Sequence, residues 1–138
     1  MSGNCEPARP LPPINEMNRY FWCGGSDGIL RILRCNACGN FIHPYAARCD
    51  RCRSPDLAPH PVSGRGKVVG FTINVQPWYP DVPTPYVIAL VELEEQSNIR
   101  LVTNLPTCPI EEVRIGLAVK VYFEKHGEIA IPLFEREQ

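Results

Sequence analysis

Apolar side chains fall at every second position over residues 67–75: Val69, Phe71, Ile73 and Val75. A period of two predicts a strand with one face turned inward. Residues 117–124 repeat the pattern, with Leu117, Val119, Val121 and Phe123 alternating against Ala118, Lys120, Tyr122 and Glu124. Residues 86–93 are apolar on both faces until Glu92 and predict a central strand. Residues 99–104 and 129–134 supply two more, set off by a polar turn at 94–98 and by His126-Gly127. Between the third and fourth strands, Pro109 followed by Glu111 and Glu112 predicts a helical turn, because proline suits the first helical position and acidic residues suit the positive end. Three strands, a short helix and two strands is the order of a five-stranded OB-type barrel.

The first third of the chain reads differently. Pro7, Pro10, Pro12 and Pro13 exclude a helix over residues 1–13. Residues 15–23 predict a short helix, capped by Asn15 and ended by Gly24 or Gly25. Its apolar face, Ile14, Met17 and Phe21, either packs on the rest of the chain or docks a partner. Residues 28–34 suit a short strand. Residues 56–64, with Pro59, Pro61 and Gly64, read as the joint between two units. The expected organisation is an arm and short helix over 1–28, a cysteine-bearing unit over 29–60 and the barrel over 61–138.

Composition narrows the class. The chain has 138 residues, 44% of them hydrophobic, enough for one ordinary folded domain or two very small ones. A formal net charge of −1 lacks the basic excess of a nucleic-acid binder, so no nucleic-acid partner is expected. No apolar run approaches the roughly 20 residues that span a bilayer, and the N-terminus has no signal-like apolar segment, so neither a membrane nor secretion is expected. The default compartment is then cytoplasmic, where the seven cysteines read as metal ligands plus free thiols.

Four of those cysteines stand as C-x2-C, ten residues, C-x2-C: Cys35, Cys38, Cys49 and Cys52. Two residues between cysteines let one tight turn aim both sulfurs at a tetrahedral ion, and Gly39 can take the positive φ that closes the first turn. The second turn has Arg53 in the corresponding place. Four thiolates leave no open position, so the zinc is expected to be structural; softness and geometry alone do not separate it from iron. His43, between the pairs, reads as a packing residue. Cys5 and Cys23 read as plain thiols. Cys108 would need a neighbouring base to act as a nucleophile, and no catalytic residue is expected.

The order of these features resembles a known family. Tyr20-Phe21-Trp22, Gly28, Leu30 and Arg34-Cys35 lead into Cys38-Gly39, Cys49 and Cys52. Ser63-Gly64-Arg65-Gly66-Lys67-Val68, Thr72, Pro85-Tyr86-Val87 and Val91-Glu92-Leu93 follow. Ile115-Gly116, Val119-Lys120-Val121-Tyr122-Phe123 and Pro132-Leu133-Phe134 complete it. The resemblance, over about residues 20–134, is to the zinc-ribbon-plus-OB-fold proteins that accompany thiolases and related acyl-CoA enzymes. It implies a mainly β fold: a short N-terminal helix, a rubredoxin-like zinc ribbon and a five-stranded OB-fold barrel. It also implies a non-catalytic subunit of a thiolase-like acyltransferase or aldolase complex, in settings such as acetyl transfer, steroid side-chain cleavage or aromatic acyl-CoA degradation. The family commonly has a Pro-Pro-Arg run where this chain reads His43-Pro44-Tyr45-Ala46-Ala47-Arg48, and a proline where Asp50 stands. The zinc ligands are untouched by either departure.

In some such complexes the small subunit helps form the CoA site. CoA phosphates need cationic partners, and Arg48, Arg51, Arg53, Arg65 and Lys67 flank the joint between the units. Either they face CoA or acyl-CoA at a shared interface or they form an ordinary solvated surface. Contact candidates for a thiolase-superfamily partner are Phe21 and Trp22 at the helix end, and Trp78 and Tyr79 in the loop 76–85, which four prolines stiffen. Because thiolases are typically dimeric, a two-plus-two heterotetramer is expected. The alternative function is a single-stranded nucleic-acid binder of the OB-fold and zinc-ribbon kind, which would need a basic groove with stacking aromatics.

Overall fold

A computed structural model describes residues 11–77 and 83–137. The N-terminal segment makes one short helix, α1 (Arg19–Trp22), and a 3-10 turn (Gly24–Asp27). The helix is shorter than the expected 15–23. The cap moves with it: Asn18, not Asn15, precedes the helix and makes no side-chain cap bond, while Asn15 Oδ1 accepts from the backbone N–H groups of Met17 and Asn18, both at 2.9 Å, and shapes the turn before it. Residues 16–18 turn without becoming helix.

Two antiparallel sheets follow. The first has the order β2-β1-β3, with β1 (Arg31–Cys35), β2 (Phe41–Ile42) and β3 (Leu57–Pro61). Strand β3 corrects the expectation that residues 56–64 are only a joint: Cys35 to Arg31 pair residue by residue with Leu57 to Pro61. Its two prolines are tolerated because β3 is an edge strand, where a missing N–H interrupts no further ladder. Strand β1 is buried on both faces. Ile32 belongs to the large core, while Leu33 and Cys35 join Ile42 and Cys49 in a small second core.

The second sheet has β4 (Arg65–Asn74), β5 (Tyr86–Leu93), β6 (Arg100–Asn104), β7 (Ala118–His126) and β8 (Ile129–Arg136), in the order β6-β5-β4-β7-β8. These are the five expected strands in the expected order, but the sheet stays open. The edge strands β6 and β8 share no ladder. They are joined instead by a side chain, Thr103 Oγ1 donating to the Pro132 carbonyl at 3.0 Å. Pro132 has no N–H to give, which is part of why no ladder forms there.

Strand β4 also departs from its sequence pattern. The register shifts between Val68 and Gly70, and this bulge resets which residues face inward. Val68, opposite Val91, is fully buried. Phe71 and Ile73, opposite the buried Ala89 and Val87, are each still 38% exposed, and Val75 is 71% exposed. Strand β4 pairs with β7 only through Arg65, Gly66 and Lys67, so its farther half has β5 alone as a ladder partner. Beyond the bulge Phe71 and Ile73 share the face of Ala89 and Val87, but this end of the inward face is left uncovered; before it, Val68 and not Val69 faces the core.

The main core is shared between the units. Phe21 of α1, Leu30 and Ile32 of the β1 region and Phe41 of β2 cluster with Val68, Val91, Val119 and Phe134 of the larger sheet.

Candidate metal centre and its surroundings

Two turns of matching construction carry the cysteines. In the first, Cys35 N–H donates to the Asn40 carbonyl at 2.8 Å and Gly39 N–H returns to the Cys35 carbonyl at 2.9 Å. In the second, Cys49 N–H donates to Ser54 at 2.9 Å and Arg53 N–H returns to Cys49 at 3.0 Å. Both turns need a positive φ at the fifth residue. Gly39 takes it at 83°, and Arg53 takes it at 69°, the only non-glycine among the described residues to do so. For a side-chain-bearing residue that conformation costs about 1–2 kcal/mol.

The four sulfurs converge to within 4.8 Å of one another. Cys35 Sγ lies 3.5 Å from Cys52 Sγ, and Cys38 Sγ lies 3.6 Å from Cys49 Sγ. A tetrahedron with zinc–sulfur bonds of about 2.3 Å has edges of about 3.8 Å, so the donor set fits a zinc ion once its longer edges draw in. Cys35 and Cys49 are buried while Cys38 and Cys52 are exposed. All four places of the tetrahedron are taken by sulfur, so the site supports structure and offers no position for substrate or water.

Backbone donors prepare the charge. Cys49 is drawn down to about 6, chiefly by the Cys52 N–H and against the effect of burial, with help from the Arg51 N–H and the Asn40 amide. Cys35 is also lowered: burial opposes this, and the N–H groups of Cys38 and Ala37 outweigh it. Cys52 is pushed up to about 12. The Ser54 N–H pulls it down, but the Cys35 sulfur, burial and the other two thiols prevail. A divalent cation reverses that mutual opposition by binding all four as thiolates.

Asn40 and Gln96 border the sulfur cluster, a placement that sequence reasoning missed. Asn40 is 3% exposed. Its Nδ2 donates to Cys49 Sγ at 3.5 Å and to Asp50 Oδ1 at 2.6 Å. Gln96, in the turn between β5 and β6, donates to Asn40 Oδ1 at 3.1 Å. No motif marks either one, since both depend on a contact across more than fifty positions of chain.

His43 stands apart from the sulfur cluster. Its ring packs 4.9 Å from that of Phe21, and burial holds its pKa below the usual value. Its Nδ1 has no hydrogen-bond partner. Cys108 is buried, its thiol is pushed up by burial, and its sulfur bonds only the Pro109 carbonyl at 3.6 Å. Cys23 is half-buried, and Cys5 lies outside the described residues.

The five candidate cations fall on two separate elements. Arg48, Arg51 and Arg53 are exposed around the second cysteine turn, where Arg48 Nη1 bonds the Arg53 carbonyl at 3.0 Å. Arg65 and Lys67 are exposed on β4. There Arg65 pairs with Glu137 at 2.8 Å, and Lys67 stands opposite Glu92 in the ladder. A cleft of about 560 Å³ is lined by Arg65, Lys120 and Arg136, but also by Glu135 and Glu137. Of the expected contact aromatics, Phe21 is in the core, 4.8 Å edge-on from Trp22, which agrees with the packing alternative of its two readings. Trp22 is half-buried. Trp78 and Tyr79 lie outside the described residues. No helix among the described residues is long and apolar enough to cross a membrane.

Comparison with known proteins agrees with this architecture. Residues 22–58 match the family described as ChsH2, rubredoxin-like zinc ribbon domain, and residues 59–124 match ChsH2, C-terminal OB-fold domain. A probable enoyl-CoA hydratase alpha subunit of Thermomonospora curvata is 35% identical over 91% of this chain, which spans 39% of that relative's length. A DUF35 domain-containing scaffold protein of Methanocaldococcus jannaschii is 34% identical over 70% of this chain and 68% of its own. A chain of the solved Ltp2-ChsH2(DUF35) aldolase superposes with a TM-score of 0.82 and 33% identity, covering 91% of this chain and 98% of the other. With both folded units matched in order, this chain belongs to the ChsH2 family of DUF35 proteins, in which a rubredoxin-like zinc ribbon precedes an OB-fold domain.

Proposed function

We propose that this chain is a non-catalytic, zinc-bearing subunit that assembles with a thiolase-type acyl-CoA enzyme. The observation that carries this reading is its similarity over 98% of a chain from the Ltp2-ChsH2(DUF35) aldolase. The chemistry of the chain supports it from the other side. The sulfur site is closed, and Cys108, the one thiol weighed as a nucleophile, is buried with its pKa raised. Acyl transfer or carbon–carbon cleavage needs an activated nucleophile or base, so the reacting groups belong to the partner.

The far half of β4 is the surface that suits assembly. Val69 to Val75 contain no charge and no proline, and Phe71, Ile73 and Val75 are exposed beside a ladder edge that β7 leaves at Lys67. An uncharged edge without protective residues invites association. Trp22 adds an aromatic contact, and Trp78 and Tyr79 are proposed to contribute from the following loop. With a two-fold dimeric partner, each protomer offers one docking surface and a two-plus-two heterotetramer results.

Contact with CoA is the finer part of the proposal. The cations of the second cysteine turn suit it better than those of β4. Asp50, the acid among them, already accepts from the Asn40 amide, whereas Arg65 holds Glu137 and Lys67 faces Glu92. The same alternation of charge, with Lys120 opposite Glu135 and Arg100 on Glu92, is unlike the basic groove that single-stranded nucleic acid requires.

Affinity purification of the intact protein from its native host tests the assembly. A stable complex with a thiolase-fold subunit, of mass matching two copies of each, is the expected result. Recovery of the chain alone would reject it. In that complex, Arg51→Ala should raise the Michaelis constant for the acyl-CoA without dissociating the subunits. Unchanged kinetics across Arg48→Ala, Arg51→Ala and Arg53→Ala would remove CoA from the reading.

A further inference from the structure

We propose that Asn40 and Gln96 form the link through which the metal site sets the seat of the ribbon on the larger sheet, with Asn40 as the positioning residue of Cys49. Both donors and the acceptor of the Asn40 amide are in use. One face of it holds the Cys49 sulfur and Asp50, and the other receives Gln96. Gln96 in turn grips β2. Its Oε1 accepts from the Phe41 N–H at 2.9 Å and its Nε2 lies 3.0 Å from the Phe41 carbonyl, as a neighbouring strand would; Asn98 Oδ1, at 2.6 Å, shares the two Nε2 hydrogens with Phe41 and Asn40. Phe41 is itself a member of the main core. A chain of side-chain bonds therefore runs from a metal-binding sulfur, through two amides, to the backbone contact between the sheets.

The chemistry gives this link a direction. A sulfur held by zinc is an acceptor fixed in place for the Asn40 hydrogen bond, whereas a metal-free Cys49 side chain can rotate away from it. Metal binding thus fixes Asn40, and a fixed Asn40 presents its oxygen to Gln96. By linkage the effect runs both ways: what holds Gln96 in place must favour metal binding, although Gln96 touches no ligand.

The test is zinc affinity of the full chain, measured by competition with a chromophoric chelator. Asn40→Ala should weaken binding by roughly 10–100-fold, the usual effect of losing an outer partner of a ligand. Gln96→Ala should weaken it roughly fivefold or more. The double variant should lose less than the product of the two single losses, because the second change acts on a link already cut. Asn40→Asp keeps the shape and an acceptor for Gln96 but turns an oxygen toward the sulfur and Asp50, so it should bind no better than Asn40→Ala. With Co²⁺ in place of zinc, Asn40→Ala should move the sulfur-to-metal charge-transfer band to longer wavelength, since a donated hydrogen bond lowers the sulfur lone pairs.

Thr103→Val serves as the control, because it weakens the sheet far from Gln96. Its zinc affinity and cobalt spectrum should match wild type. An equal loss in Thr103→Val and Gln96→Ala would mean general destabilisation and would overturn the link. So would a Gln96→Ala affinity within twofold of wild type, strictly multiplicative losses in the double variant, or a wild-type chain that binds no zinc.

Discussion

Thr103 on β6 and Pro132 on β8 meet across the gap that keeps the larger sheet from closing. The Thr103 hydroxyl, 7% exposed as a residue, donates to a carbonyl that is itself buried. A side-chain bond here replaces the ladder that a closed barrel would have. Thr103→Val keeps the shape and leaves the Pro132 carbonyl unpaired. Unmaking such a bond costs about 1–3 kcal/mol, which urea unfolding of the purified chain should register as a lowered midpoint with an unchanged slope.

Metal content is the most direct check on the ribbon. Elemental analysis should find about one zinc per chain, and a well-folded metal-free protein would contradict the fit of the four sulfurs. Replacing Cys38 with Ser should release the ion. Structural zinc contributes roughly 10–16 kcal/mol of apparent folding energy in small zinc units, so the ribbon should unfold with it. Because Ile32 and Phe41 lie in the core shared with the sheet, the loss should also lower the thermal midpoint of the sheet, a consequence that two independent units would not show.

Arg53 offers an increase in stability. Its φ of 69° is the conformation glycine adopts freely, and Gly39 already occupies the matching place in the first turn. Arg53→Gly removes about 1–2 kcal/mol of backbone strain and adds about 0.5–1 kcal/mol of unfolded-state entropy. A small net gain in stability with metal retained is expected. Arg53→Val should lose stability, since a β-branched residue resists that φ. If the valine variant proved the more stable of the two, the strain argument would fail.

Much of this architecture could be read from the chain. The cysteine spacing names the sulfur cluster because two residues between ligands leave few other geometries. The alternation over 117–124 and the two-faced apolar run over 86–93 locate β7 and β5, because burial on one or both faces of a sheet writes itself into the period. What escaped has equally physical reasons. Strand β3 hid behind Pro59 and Pro61, which read as breakers until the strand is known to be an edge. The bulge at Val68–Gly70 shifted the inward row of β4 by one position, and bulges carry no fixed residue signature. Phe21 stayed open between packing and docking because three apolar residues on one short helix do not tell which surface they meet. Asn40 and Gln96 are ordinary polar residues that matter only once β2 lies beside the turn after β5.

Gly64 ties β4 to β7 by close approach. Its φ is 78°, and a Cβ there would clash with Val121 Cγ1. The Gly64 carbonyl also accepts the Val121 N–H at 2.8 Å, so the backbone cannot retreat without losing that bond. Gly64→Ala therefore combines about 1–2 kcal/mol of left-handed strain with about 1–3 kcal/mol of overpacking. A loss of roughly 2–5 kcal/mol is expected in chemical unfolding, and Gly64→Ala with Val121→Ala should recover part of it. No recovery in the double variant would place the whole cost in the backbone.

The acid side of the stability profile should carry the mark of His43. Burial holds its folded pKa below the unfolded value of 6.5, with the ring against Phe21 and Nδ1 unpartnered. The unfolded chain therefore binds a proton more readily than the folded one. By linkage the folded state is favoured in full above the unfolded value, and that contribution is lost as pH falls below 6.5 toward the folded pKa. His43→Phe removes the titrating group and keeps an aromatic ring beside Phe21. Its unfolding free energy should depend less steeply on pH than wild type between 6.5 and the onset of zinc release, measured by urea titration with zinc content followed in parallel. Parallel pH profiles for the two proteins would mean that the His43 ring gains its proton as easily in the fold as out of it.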